Sequence, residues 1–310
     1  MLAKQPRYKL LLSPCLLICV LFFLSCGEDP EGGSGSGSEK ELGLKKVIVA
    51  LKATDHPENL LGVKDGLENF LSEKLKMVVE ITIPTSPASV TESLRTGKID
   101  VGYLSPTDAA RNLELGTASV LLARTESGQP HYKSIWVCKK EKEYSSVADL
   151  KGKPVAFSSR SSEAGYLIPA WDLAKRKLIG PRVALTDYFS QVLYCNGDAS
   201  AVEKVLSGET EAAAIAGYAL QSGTEPLLEK EQSQLKIFQE QGPVATGVLS
   251  VRSSLSSTDR KLLKEAFLSM NGDSPELCNR AFRGKLEVVD EREHLKIILE
   301  AIEVQKSLKP

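Results

Sequence analysis

From Lys45 onward, short β-branched runs alternate with longer stretches whose apolar residues recur at helical spacing. This order restricts the fold more than any other feature of the chain. "KKVIVALKA" (45–53) reads as a strand. "ENLLGVKDGLENFLSEKL" (58–75) places Leu60, Val63, Leu67, Phe70, Leu71 and Leu75 on one helical stripe. The strand "MVVEITI" (77–83), a short helix in "SVTESLRTG" (89–97) closed by Gly97, and the strand "IDVGYL" (99–104) follow. "SPTDAARNLELG" then opens with cap-type residues and Pro106 in a first turn, and "ASVLLAR" (118–124) returns to strand. A βαβα order of this kind predicts an α/β fold with a central mixed, mainly parallel sheet in each lobe.

The order then starts again. "YKSIWVCKK" (132–140) and "KPVAFS" (153–158) are strands, and a helix runs to about Leu178. "QVLYC" (191–195) is a strand, and "DASAVEKVLSGE" (198–209) is a helix with Asp198 in an N-cap position. "TEAAAIAGY" (210–218) is a strand of small residues. Helices at 257–270 and 290–306 close the chain, the first with Ser256 and Asp259 spaced as a capping box. The clearest echoes between the two series are "LRTGKIDVGYLSP" (94–106) and "LSGETEAAAIAGY" (206–218). The body from Leu44 is large for one core, so two lobes are predicted: 44–133 plus 248–310, and 134–247. Ligands of open α/β sheets bind beyond the carboxyl ends of strands, which makes the pair a clamshell. Crossings near Tyr132–Cys138 and Gly242–Ser250 are the predicted hinges.

The N-terminus has a different logic. Lys4, Arg7 and Lys9 precede an apolar run from Leu10 to Leu24, the charged and hydrophobic parts of a secretory signal. The run holds Ser13 and Pro14 and is short for a membrane span. It ends in "FLSC" (23–26), which resembles a bacterial lipobox and predicts a signal peptide over 1–25 with lipid on Cys26. "GEDPEGGSGSGSEKELG" (27–43) cannot bury apolar surface, so 26–43 reads as the lipidated cysteine and a flexible linker. A lipid on a polar leash places the body in the bacterial cell envelope, periplasmic or extracytoplasmic, beside a membrane rather than in it.

Charge and chemistry narrow the function. The 39 basic and 40 acidic residues give a net charge of −1, so nucleic acid is not an expected partner. Cys138, Cys195 and Cys278, widely spaced and odd in number, read as small apolar residues, with one bridge among them still open. His56, His131 and His294 are isolated, and neither a zinc motif, a GxSxG elbow nor a phosphate-binding P-loop is present. No enzyme activity, metal or cofactor is expected.

One stretch suggests a ligand. "SSRSSEAGYLIP" (158–169) runs through hydroxyls into a helix. Early helix amides lack intrahelical partners and sit at the positive end of the dipole, so such a loop suits an anion. It also suits a well-capped surface turn.

"YKSIWVCKKEKEYSSVADLKGKPVAFSSRSSEAGYLIP" (132–169), with "TGKIDVGYLSPTDAA" (96–110) and "VLSGETEAAAIAGY" (205–218), resembles the phosphonate/phosphite/phosphate-binding proteins of ABC importers. The resemblance implies the type II periplasmic-binding-protein clamshell, a small oxyanion ligand, an ABC transporter permease as partner and a monomer anchored to the membrane by lipid. It also implies that the family's Ser-Thr-Ser-Gly loop falls on Ser162, Glu163, Ala164 and Gly165, and its binding histidine on Gly197. An aromatic of the family falls near Ala109. Glu163 has two readings. Facing the cleft, its carboxylate penalises a dianion and favours a ligand bearing P–OH or an ammonium; facing solvent, it only complements the helix dipole. The candidate ligand-binding residues are Thr54, Ser105, Thr107, Ser161, Ser162, Glu163, Asn196 and Tyr218, with Thr107 equally placed to act as a cap. A binding or sensor lipoprotein for an amine-bearing ligand, or a fold-related enzyme, are the alternatives.

Overall fold

The first strand is covered on both faces, as the centre of an α/β layer requires. Val47, Val49 and Leu51 enter one apolar cluster, whereas Ile48 and Ala50 face another. The computed structural model describes residues 43–52, 60–220 and 231–308. All of them lie within the compact unit Lys40–Pro310.

Two sheets organise this unit. The first contains β1 (Lys46–Ala50), β2 (Val78–Thr82), β3 (Val101–Leu104) and β4 (Ala118–Arg124). The second contains β5 (His131–Lys139), β6 (Pro154–Phe157), β7 (Gln191–Tyr194), β8 (Ala212–Ala216) and β9 (Leu235–Ala245). The chain then returns to the first sheet with β10 (Val248–Arg252) and β11 (Leu286–Glu287). Strand orders are β11-β4-β10-β3-β1-β2 and β7-β6-β8-β5-β9.

Both sheets are mixed. β1 runs parallel to β2 and β3, and β6 runs parallel to β7 and β8, which are the βαβ units read from the sequence. The mixed character expected of both sheets comes from their remaining pairs, which are antiparallel. β10 is antiparallel to β3 and β4, and β5 is antiparallel to β8 and β9. The physical reason is that strands bordering a crossing enter their sheet from the other lobe, without the helical return that makes neighbours parallel.

Among the described residues the α-helices are α1 (Leu61–Leu75), α2 (Pro87–Thr96), α3 (Pro106–Glu114), α4 (Ile168–Lys175), α5 (Leu185–Tyr188), α6 (Asp198–Leu206), α7 (Ser257–Asp273), α8 (Pro275–Phe282) and α9 (Glu291–Ser307). α1, α7 and α8 cover one face of the first sheet through Leu67, Leu71, Phe267 and Phe282, each fully buried. Burial of a side chain of this size stabilises by about 1.5–3 kcal/mol. α2 and α3 cover the other face with Val90, Leu94 and Ala109. In the second sheet, α4 and α6 pack Ile168, Ala201 and Val202 on one face, while Trp136, Phe157 and Phe189 fill the other.

α9 belongs to neither sheet alone. Its Leu295 packs with the first sheet, and Ile298, Ala301 and Ile302 pack with the second. The chain passes between sheets at 125–130 and 246–247, and Thr246 ties the two passages together. Its amide donates to the Pro130 carbonyl (3.1 Å), and its hydroxyl lies 2.6 Å from the Arg124 carbonyl. His294 of α9 donates from Nε2 to the Thr246 carbonyl (3.2 Å). Tyr132–Cys138, predicted as a crossing, lies wholly inside β5.

Two smaller readings resolve here. Ser256 caps α7, accepting from the Asp259 amide and donating to its carboxylate. Asp198 is instead the first residue of α6, whose N-cap is Gly197 at φ 107°, and its carboxylate turns inward to Ser158 and the Ala216 amide. Cys138 and Cys278 are buried, Cys195 is half-buried, and all three are free thiols.

Candidate functional site

The loop between β6 and α4 is pinned by backbone and side-chain hydrogen bonds. Ser158 at the end of β6 donates its amide to the Gly165 carbonyl (3.2 Å). Ser134 of β5 donates its hydroxyl to the Ala164 carbonyl (2.6 Å), and Gln241 Nε2 donates to Ser134 Oγ (2.7 Å). Residues Glu163–Leu167 form a π turn that runs directly into α4, with Leu167 N donating to Ser162 O and Ile168 N to Glu163 O. A wide turn of this kind leaves more of the first-turn backbone without intrahelical partners, and such turns recur at functional positions. Ser162 caps it, its Oγ accepting from the Gly165 amide at 2.8 Å.

This loop forms one wall of a cleft of about 600 Å³. Three helix starts converge there. Ser86 and Pro87 begin α2, with Ser86 Oγ accepting from the Ser89 amide (3.2 Å). Ser105, Thr107 and Asp108 begin α3, and Arg160, Ser161 and Ser162 bring the second sheet's loop. Arg111 and Gln305 also line it, as does the carboxylate of Glu92. Arg160 is exposed, and its guanidinium stacks on the Tyr194 ring at 3.9 Å from the centroid.

Ser105 holds α3 as a reciprocal cap: its Oγ accepts from the Asp108 amide (3.1 Å) and donates to Asp108 Oδ2 (2.8 Å). That hydroxyl hydrogen is therefore already committed inside the protein. The Thr107 amide donates to Glu163 Oε1 at 3.3 Å, linking α3 to the loop between β6 and α4. Glu163 thus meets α3 of the opposite sheet rather than solvent alone, and its side chain is half-buried.

Behind this contact lie two tyrosines, Tyr132 and Tyr218, with ring centroids 4.9 Å apart. Burial, followed by Tyr218 and the Glu163 carboxylate, holds the Tyr132 hydroxyl well above the usual phenol range. Burial, with Asp198 adding to it, pushes Tyr218 up to about 12. Both stay protonated and available as donors near neutral pH.

The sequence candidates therefore separate. Ser105, Thr107, Ser161 and Ser162 line the cleft, and Glu163, itself not among the lining residues, accepts from the amide of Thr107, which is. Asn196 is exposed beyond β7 and is not among the lining residues; Tyr218 lines a separate depression with His131 and Glu126. Gly197, where the family's histidine falls, caps α6. Thr54 and Cys26 lie outside the described residues. Sequence reasoning missed Ser86, Arg111 and Gln305 as lining residues. A serine followed by Pro87 at a first helical position was the available signal for the start of α2. Among the described residues, no group of three or more His, Cys, Asp or Glu side chains is arranged to hold a metal ion.

A family model described as the periplasmic substrate-binding protein of phosphonate ABC transporters matches residues 53–293. A Xanthomonas citri protein bound to ATP shares the fold at TM-score 0.71 and 18% identity, over 85% of this chain and 99% of its own. A Prochlorococcus marinus protein in complex with methylphosphonate aligns at TM-score 0.62 and 19% identity, over 85% and 99%. A binding protein component of an ABC phosphonate transporter from Pseudomonas aeruginosa gives 0.61 and 18%, over 84% and 87%.

Proposed function

Since the chain belongs to the phosphonate family of periplasmic substrate-binding proteins of ABC transporters, we propose that its cleft captures a phosphonate- or phosphate-like oxyanion for delivery to a permease. Proteins of this family are binding components rather than catalysts, and they work outside the cytoplasm. The observation that carries the ligand reading is the meeting of three helix starts at one cleft, those of α2, α3 and the turn leading into α4. Each brings the positive end of a dipole to the cleft, where Arg160 and Arg111, the latter 3.6 Å from Asp108, add positive charge beside the carboxylates of Glu92 and Asp108. In this reading Ser161 and Ser162 donate hydroxyl hydrogens to the anion, as charge-assisted bonds that need no further cation.

Calorimetric titration with phosphate, phosphite, methylphosphonate and aminoethylphosphonate tests the reading. Saturable binding of at least one probe, weakened at least fivefold in Ser162→Ala, is the expected result. Absence of heat with every probe, by a folded protein, would end it.

A second reading rests on size. A cleft of about 600 Å³ exceeds the needs of a bare oxyanion, and the Xanthomonas citri protein of the same fold binds ATP. A ligand with a phosphate and a bulky remainder is then the candidate, and ATP displacing methylphosphonate in competition would favour it.

The lobes assigned as 44–133 plus 248–310 and 134–247 are taken to close over the ligand about the passages at 125–130 and 246–247. Cys26 is taken as the lipid-bearing residue. Loss of metabolic lipid labelling in Cys26→Ala, with the label present in the parent, tests that anchor. No helix among the described residues is long and apolar enough to cross a membrane.

A further inference from the structure

The contact between Glu163 and Thr107 joins residues 56 apart in the chain, and Thr107 and Ser162, the neighbour of Glu163, both line the cleft. An amide at the start of α3 is a donor with no intrahelical acceptor, and Thr107 lines the cleft. Here that donor is already engaged, and by an anion of the protein itself. We propose that Glu163 is a resident competitor: its carboxylate occupies the seat of the ligand at the α3 N-terminus, bridges the two lobes without ligand, and sets the affinity for anions by having to leave. The inference rests on the reading of the cleft as an anion site.

Three features support it. The seat is single, since one amide hydrogen serves one strong acceptor, and the neighbouring Ser105 hydroxyl is committed to Asp108. A second anion beside the carboxylate would meet like charge at about 4 Å in a partly desolvated cleft, so both do not stay. The residue is also well placed to return. Glu163 is the first residue of a turn held from below by Ser134, Ser158 and Ser162, so only its side chain has to rotate. The Thr107 amide donates to the carboxylate, Tyr132 and Tyr218 feel its charge, and Glu92, Asp108, Arg111 and Arg160 are the charged groups lining the cleft.

The sign of one mutational effect separates a competitor from a structural bridge. If the ligand anion and Glu163 exclude one another, removing the carboxylate strengthens anion binding. If they coexist, removing it opens the cleft and weakens binding. Methylphosphonate affinity is measured by calorimetry for the parent, Glu163→Gln and Glu163→Ala, alongside X-ray scattering of the ligand-free proteins. The expected order is Glu163→Ala, then Glu163→Gln, then the parent, with at least tenfold between the extremes. Ligand-free Glu163→Ala is expected to give a larger radius of gyration than the parent, and melting temperatures stay close. Equal affinities, or weaker binding by the variants, overturn the competitor and leave the anion site standing. An unchanged scattering radius in Glu163→Ala overturns the bridge. Failure of all three proteins to bind methylphosphonate, phosphate, phosphite or aminoethylphosphonate removes the anion site itself, and the competitor with it.

Discussion

Gly165 lies against Ser158 so closely that a Cβ on it would fall 2.3 Å from Ser158 Oγ and 2.4 Å from Ser158 Cβ. The glycine of "SSEAGY" is thus set by approach rather than by backbone torsion. Ser158 must sit there because it closes β6 and binds Asp198 and the Ala214 carbonyl (3.0 Å). Gly165→Ala is expected to destabilise by about 1–3 kcal/mol, as overpacking does. It should also weaken anion binding, because the added methyl meets Ser162 Oγ at 2.9 Å and shifts the cap. Thermal melting and a methylphosphonate titration check both. A variant that melts with the parent and binds equally would show that the loop is not pinned here.

His294 couples the interlobe passages to pH. Its Nε2 must carry the proton, because the Thr246 carbonyl only accepts, and its buried Nδ1 has no partner among the described residues. Burial, only partly offset by the bond to Thr246, pushes its pKa down to about 4. In the unfolded chain the ring titrates near about 6.5. Between these values the unfolded state binds a proton that the folded state refuses. The contribution is therefore fully present above the unfolded value and is lost as pH falls toward 4. Its size is about 3 kcal/mol, taking about 1.4 kcal/mol per pKa unit. His131, with its ring centroid 5.2 Å away, is also shifted down by burial and acts in the same direction. Urea unfolding of the parent and His294→Gln at pH 7, 5.5 and 4 measures this. The parent should lose more stability than the variant over that range, and parallel curves would refute the coupling.

Arg160 contributes charge without being buried. Its guanidinium is held over the Tyr194 ring, which limits its freedom, and Arg160 is one of the residues lining the cleft. Arg160→Ala is expected to weaken anion binding about three- to tenfold at low salt, with the difference shrinking at high salt as screening removes its reach. Titrations at two ionic strengths decide it. A difference between the two proteins that does not change with salt would mean that Arg160 acts through packing instead.

Much of this architecture was legible in the chain. Periods of two and 3.6 residues gave the βαβ cores, because Val47, Val49 and Leu67 are buried by local pattern alone. Ser256 with Asp259 marked a helix start correctly, since a cap is a local event. The antiparallel strands were not legible, because the direction of β5 and β10 depends on where the chain changes sheets. β11 and α8 were also missed, as a two-residue strand and an eight-residue helix carry too little pattern. At the site, the hydroxyl loop was visible as composition. What no sequence pattern could supply was the reach of Glu163 to Thr107, a contact set by two lobes meeting, or the turning of Asp198 inward to serve Ser158.

The most direct measurement of the account is an amide-resolved NMR titration of the protein with methylphosphonate. The account predicts that the Thr107, Glu163 and Ala164 amide signals shift together and saturate at one ligand concentration, since they border one seat shared by both lobes. Shifts confined to the depression around Tyr218 and His131, or a titration that leaves those three amides unmoved, would contradict it.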